Sequence, residues 1–202
     1  MQLFAASVEI RAAGRWLEAR GWAPASAGNY SVRLDESRIA ITVSGSPKGR
    51  LTAADVTVVD YEGRPLAAER PSAETALHAV VYRLDGAAGA VVHTHSVFGT
   101  ILGMDDERMT ALDLRGYELL KVLPGITTHD TIVSLPVFDN TQDMPALAGR
   151  VADRWRHGHF IGYLIRGHGL YTWASTMDLA LRSVEALEFL FSCEAERRRL
   201  RP

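Results

Sequence analysis

A chain of 202 residues, 47% of them hydrophobic, can bury the core of one ordinary domain, and a single cysteine, Cys193, excludes a disulfide framework within the chain. The 22 basic and 24 acidic residues are well mixed and leave a formal net charge of −2, which excludes the electrostatic footprint of a nucleic-acid or anionic-membrane binder and points to a small-molecule partner. The opening MQLFAASVEIRAAGRW lacks the basic-then-apolar pattern of a signal peptide and no segment approaches the ~20 apolar residues of a membrane span, so a reducing cytoplasm is the expected location. Without repeats or a long linker, one domain over residues 1–202 is expected.

In chain order, Phe4, Val8, Ala12 and Trp16 stand at helical spacing before Gly21 and predict an opening helix. NYSVRL and RIAITVS read as a hairpin around Asp35-Glu36-Ser37, and VTVVD at 56–60 extends the same sheet. A helix begins at Pro71-Ser72, with Ser72 as N-cap and Leu77, Val80, Val81 and Leu84 on its apolar face. AGAVVHTHS is a strongly apolar strand, followed by a helical stretch with Val97, Ile101 and Leu102 and then a polar break at Asp105-Asp106-Glu107. RGYELLKVL predicts a short helix and TIVSLPVF a strand. Met144, Leu147, Val151 and Trp155 mark a helix face, and FIGYLIR and LYTWA flank the turn Gly167-His168-Gly169 as strands. A closing helix runs from about Thr176 along Leu181, Val184, Leu187 and Phe191, with arginines at 197–199 and 201 suited to its negative end. Strands in the middle with helices before, between and after them predict an α/β fold whose mixed or antiparallel sheet is covered on its faces.

The chemistry gathers on histidines. His93 and His95 are one residue apart on a strand, and the period of two puts both imidazoles on one face within reach of one ion. A catalytic zinc takes three protein ligands and keeps a fourth position open, and His168, between two glycines in a tight turn, is the best third ligand. His78, His129, His157 and His159 lack such a context and read as structural or exposed. Gly28-Asn29, Ser44-Gly45-Ser46 and Pro71-Ser72-Ala73 are polar turns whose N–H groups suit an anion or a plain loop connection, and Lys48 reads as a solvated surface lysine. Glu74 and Glu118 stand in apolar-periodic segments, and either serves equally well as a general acid/base or as a helix-surface carboxylate.

GNYSVRL, SGSPKG, PSAETALH, VVHTHS, RGYELLK followed by LPGITTHD, VFDNTQDMPALA and RGHGLYTWA together resemble the class II aldolase/adducin family over nearly the whole chain. GYELLK and FDNTQDM make the chain more similar to the branch that dehydrates 5-methylthioribulose 1-phosphate in methionine salvage than to the sugar-phosphate aldolases and 4-epimerases. The resemblance implies a three-layer α/β/α fold with a central, mostly antiparallel sheet, a homotetramer and an active site near a subunit interface. It also implies one zinc ion per subunit on His93, His95 and His168, phosphate binding by Asn29, Ser44, Gly45 and Ser72, and acid/base roles for Glu118 and Glu74. Ala73 stands where aldolases often carry a second serine, which removes one hydroxyl from the expected phosphate site. An aldolase or 4-epimerase is the alternative reading, and a non-catalytic module like the adducin head is a further one. A thioether substrate implies an apolar or aromatic pocket.

Overall fold

The computed structural model describes residues 1–200, so Arg201, the last of the closing helix's arginines, lies outside the described residues. Helix α1 spans Leu3–Glu18, but its buried face is not the expected one. It buries Ala6, Ile10, Ala13 and Leu17, while Phe4 is 76% and Val8 46% exposed. Both stripes have helical spacing. The small residues win because they let the helix approach closely, and a Cβ at Gly14 would meet the Lys48 carbonyl oxygen at 2.1 Å.

Strands β1 (Asn29–Arg33) and β2 (Arg38–Thr42) form the expected hairpin, its turn held by Asp35 Oδ1, which accepts from the N–H groups of Ser37 and Arg38 at 2.9 Å each. β3 (Val56–Asp60) adds antiparallel to β2. Helix α2 covers Thr75–Leu84, so Ser72 is not its N-cap; Glu74 holds that position and Ser72 sits in the turn before it, with its carbonyl accepting from Thr75 N–H. β4 spans Ala90–Thr94 and α3 Val97–Leu102. Of the expected α3 face only Leu102 is buried; Val97 and Ile101 face outward. Residues read as a loop leading into a helix instead form β5 (Ala111–Arg115), followed by a 3-10 turn over Glu118–Val122. β6 (Ile132–Phe138), α4 (Met144–Arg156), β7 (Gly162–Ile165), β8 (Gly169–Ala174) and α5 (Met177–Arg199) complete the chain, and Thr176 caps α5 by accepting from Leu179 N–H at 3.3 Å.

The eight strands form one mixed sheet in the order β3-β2-β1-β4-β8-β7-β6-β5, antiparallel throughout except for the parallel pair β6 and β7. One face is covered by α2 and α4 through Leu77, Val80, Leu147 and Val151. The other is covered by α1 and α5 through Ile10, Leu17, Val184 and Leu190, with α3 packed on α5. The result is the expected three-layer α/β/α architecture. Among the described residues no helix is long and apolar enough to cross a membrane.

These directions decide which ends of the strands meet. β4 and β7 both run antiparallel to β8, so the C-terminal ends that carry His93 and His168 lie at one edge. β1 runs against β4 and β2 against β1, which brings Asn29 and the Ser44-Gly45 turn to that same edge. A bridge between Val43 and Pro71 adds the segment leading to Ser72 and Glu74. β5, in contrast, runs against β6 and delivers Glu118 to the opposite edge.

Candidate metal centre and phosphate cavity

Glu74, His93, His95 and His168 each offer a ligand atom, and these atoms lie within 4.8 Å of one another. His93 is completely buried at the end of β4, and its ring lies 4.5 Å from that of His95 and 5.0 Å from that of His168, centroid to centroid. The turn that presents His168 depends on two glycines. Gly167 has φ 62°, and a Cβ on Gly169 would meet the Thr94 carbonyl oxygen at 1.9 Å. The glycines thus let β8 lie tightly against β4 and bring the third histidine to the other two.

The donor chemistry fits a metal ion. His93 Nδ1 lies 2.8 Å from the Leu170 carbonyl oxygen, so Nδ1 carries the proton and Nε2 keeps a lone pair facing the cluster. His93 Nε2 and His168 Nε2 are 3.3 Å apart, the spacing expected between neighbouring corners of a tetrahedron with metal–nitrogen bonds of about 2.0–2.1 Å. His168 Nδ1 is buried without a partner. Burial, followed by the field of the His168 imidazole, pushes His95 down to about 4, and burial holds His93 well below its ordinary value, so both rings are neutral at physiological pH and keep a lone pair available for a metal. Three imidazoles and a carboxylate form a donor set suited to zinc.

Glu74 closes the cluster, with Oε2 3.2 Å from His93 Nε2 and Oε1 3.0 Å from His168 Nε2. Burial alone would raise its carboxyl, but hydrogen bonds from His168 and from the Tyr171 hydroxyl draw it below the usual carboxylate range. Asn29 Nδ2 donates to Glu74 Oε2 at 2.9 Å, and the Tyr171 hydroxyl donates to the same oxygen. Strand register explains the convergence. Asn29 on β1 is opposite His93 on β4, which is opposite Tyr171 on β8, so all three lie in one row beneath α2. Tyr171 also stacks on His93 with 4.0 Å between ring centroids.

Next to the cluster is a cavity of about 180 Å³ bordered by His95, Glu74, Asn29, Ser44, Gly45 and Ser72. All four residues implicated in phosphate binding therefore share one wall-lined space, although they come from three turns far apart in the chain. Lys48 borders it too and corrects the surface reading: the residue is 2% exposed, and Nζ donates to the carbonyls of Ser26 at 2.7 Å and Ser46 at 2.6 Å. Its ammonium ties two of the cavity's turns together, and burial lowers its pKa.

Glu118 is not brought to this centre within the protomer. Its 3-10 turn buries Leu120 and points the carboxylate into solvent at the far edge of the sheet, paired with Lys121 and 3.5 Å from His129. Of the two readings left open for Glu118, the exposed surface carboxylate describes its place within the protomer. The large apolar cavity, about 580 Å³ between Trp155, Phe160, Trp173 and Leu179, also opens at that far edge and is not a pocket for a thioether bound beside His95. His157 and His159 stay outside the metal cluster; His159 stacks on Trp155. Tyr171 went unnoticed in the sequence, and for His78, read as structural or exposed, the structure shows the buried, structural alternative. His78 is wholly buried between Ser31 and Asn29.

Residues 8–195 match the family described as class II aldolase and adducin N-terminal domain. The chain is 53% identical over 198 residues to the methylthioribulose-1-phosphate dehydratase of Marinobacter nauticus, covering 97% of this chain and 95% of that one. It is 52% identical to the protein of the same name from Pseudomonas aeruginosa, covering 92% and 91%. The crystal structure of L-fuculose-1-phosphate aldolase from Thermus thermophilus superposes with a TM-score of 0.68 at 30% identity, covering 94% of this chain and 90% of that one.

Proposed function

The chain belongs to the class II aldolase and adducin family, and from that premise we propose that it is a zinc-dependent hydro-lyase that dehydrates 5-methylthioribulose 1-phosphate to 2,3-diketo-5-methylthiopentyl 1-phosphate in methionine salvage. The observation that carries this reading is the contact between two sites: a cluster of three histidines and Glu74 opens directly onto a small polar cavity of phosphate-binding character. Identity of about one half to dehydratases, against 30% to a sugar-phosphate aldolase, favours water loss over carbon–carbon cleavage.

His93, His95 and His168 would hold the ion. When bound, it supplies Lewis-acid polarisation of the ketone and the neighbouring hydroxyl, which acidifies the hydrogen on the third carbon. The cavity turns at Asn29, Ser44, Gly45 and Ser72 bind the phosphate with N–H and O–H donors, and the Lys48 ammonium adds positive potential. Glu74, ionised and fixed by Asn29 and Tyr171, is placed to accept the proton from the third carbon. The hydroxyl on the fourth carbon takes up a proton and leaves as water, and the resulting enol tautomerises to the 2,3-diketone. Glu118 is the proton relay for this departure. Because strand direction sends it to the far edge, it serves the centre of a neighbouring copy, which accords with a cytoplasmic homotetramer in which residues 1–202 form one catalytic domain.

The test is an assay of zinc-loaded protein with 5-methylthioribulose 1-phosphate, followed by mass spectrometry. Loss of one water, reduced at least ~100-fold in Glu118→Gln and in His95→Ala, is the expected result. Cleavage to dihydroxyacetone phosphate and methylthioacetaldehyde would make the protein an aldolase instead, and no turnover with no bound metal would leave a binding module.

A further inference from the structure

Helix α2 lies over β1 so that two pairs of polar side chains meet. Glu74 and His78 are four residues apart, a rise of about 6 Å along a helix, and Asn29 and Ser31 are two apart, about 6.6 Å along a strand. The spacings match, and both rungs close: Glu74 with Asn29 and His78 with Ser31. A diagonal contact joins them, His78 Nε2 to Asn29 Oδ1. Tyr82, one further turn along α2, reaches Ser31 Oγ at 2.9 Å.

The direction of every bond in this chain follows from one end. A carboxylate only accepts, so Asn29 must present Nδ2 to Glu74 and Oδ1 to His78. Burial pushes His78 down to about 3, so the ring is neutral and has one N–H only. That hydrogen must be on Nε2 to meet Oδ1. Nδ1 is then a bare acceptor for the Ser31 hydroxyl, 2.7 Å away, and Ser31 in turn accepts from Tyr82. Were the tautomer reversed, a ring lone pair would face the Asn29 carbonyl and the amide would turn its oxygen toward the Glu74 carboxylate.

We propose that His78 is a positioning residue for the reaction: its Nε2–H locks the Asn29 amide with nitrogen, not oxygen, toward Glu74 and the phosphate cavity. An anion entering beside Ser44 then meets the positive end of the amide dipole. The consequence for binding rests on the phosphate reading above; the tautomer chain does not.

Two measurements test it. The imidazole ¹⁵N spectrum, with His78 assigned by comparison with His78→Gln, is expected to show an Nε2–H tautomer; an Nδ1–H tautomer would overturn the proposal. In His78→Leu, KM and the Kd for inorganic phosphate are expected to rise about tenfold or more, with bound zinc unchanged, and His78→Gln, which keeps an N–H toward Asn29, is expected to restore most of the loss. A merely structural role would lower the yield of folded protein and leave KM alone, and unchanged phosphate binding in His78→Leu would sink the idea. If that variant does not fold, Ser31→Ala replaces it: loss of the hydroxyl donor is expected to shift the His78 Nδ1 resonance while the Nε2–H tautomer, set from the Glu74 end, persists, and a switch to Nδ1–H there would overturn the lock. Should the wild-type protein fail to bind phosphate, the phosphate reading falls, and the tautomer result still decides the lock.

Discussion

Tyr171 serves the centre twice, as an aromatic plate against His93 and as a hydroxyl donor to Glu74. The two roles separate in Tyr171→Phe, which keeps the stacked ring and removes one donor from a buried carboxylate. Loss of a charge-assisted bond of about 1.5–3 kcal/mol predicts a drop in kcat/KM of about tenfold to a hundredfold. Because the ring still supports His93, zinc per protomer should remain at the wild-type level. Steady-state kinetics with metal analysis on the same preparation checks both halves. A parallel loss of zinc would mean that the hydroxyl assembles the donor set rather than tuning the carboxylate.

Between β4 and α5 lies a buried acid that the chemistry does not use. Glu188 is 3% exposed, accepts from the Thr94 hydroxyl at 3.2 Å, and leaves Oε2 without a partner on the side of β4 away from the histidine rings. Burial raises it from 4.5 to about 7. The native state therefore holds a proton that the unfolded chain releases above 4.5, and stability is lost as pH rises through this window. At ~1.4 kcal/mol per unit the loss approaches about 3.5 kcal/mol above pH 7. Glu188→Gln removes this titration, so its stability relative to wild type should improve by about 2–3 kcal/mol from pH 4.5 to pH 8 in urea unfolding; a constant difference would place the ionised carboxylate in contact with water. The same two elements show what local pattern reveals. The one-residue spacing where β4 ends placed His93 and His95 together, and the glycines announced the His168 turn, because both are local rules. β5 carries a readable alternation in Leu112 and Leu114, masked by the charged run before it, and Glu118 followed apolar neighbours of which only Leu120 is buried in the 3-10 turn. The partners of Lys48, His78 and Tyr171 were not readable, since they come from segments paired across the sheet.

Strand polarity across the whole sheet sets the remaining requirement. Every strand end that carries one of the clustered histidines or a turn bordering the small polar cavity faces one edge, and β5 alone carries a proposed catalytic group, Glu118, to the other. No side-chain rotation spans a strand length of about 17 Å, so a working Glu118 demands a second copy docked with its far edge against the metal edge of the first. Such an arrangement is heterologous, and repetition around a closed ring gives each centre one neighbour's carboxylate. Two inactive proteins then repair each other. Glu118→Gln retains an intact metal site, His95→Ala retains an intact Glu118, and a protomer of the first beside one of the second has a complete centre. Dissociating and reassociating the two at equal concentration should recover about a quarter of the wild-type rate, the chance that a centre in a random ring has both an intact metal site and a neighbour with an intact Glu118. Activity that stays at the level of the separate variants, with hybrid rings demonstrated by native mass spectrometry, would confine the chemistry to one protomer and leave Glu74 as its acid and base.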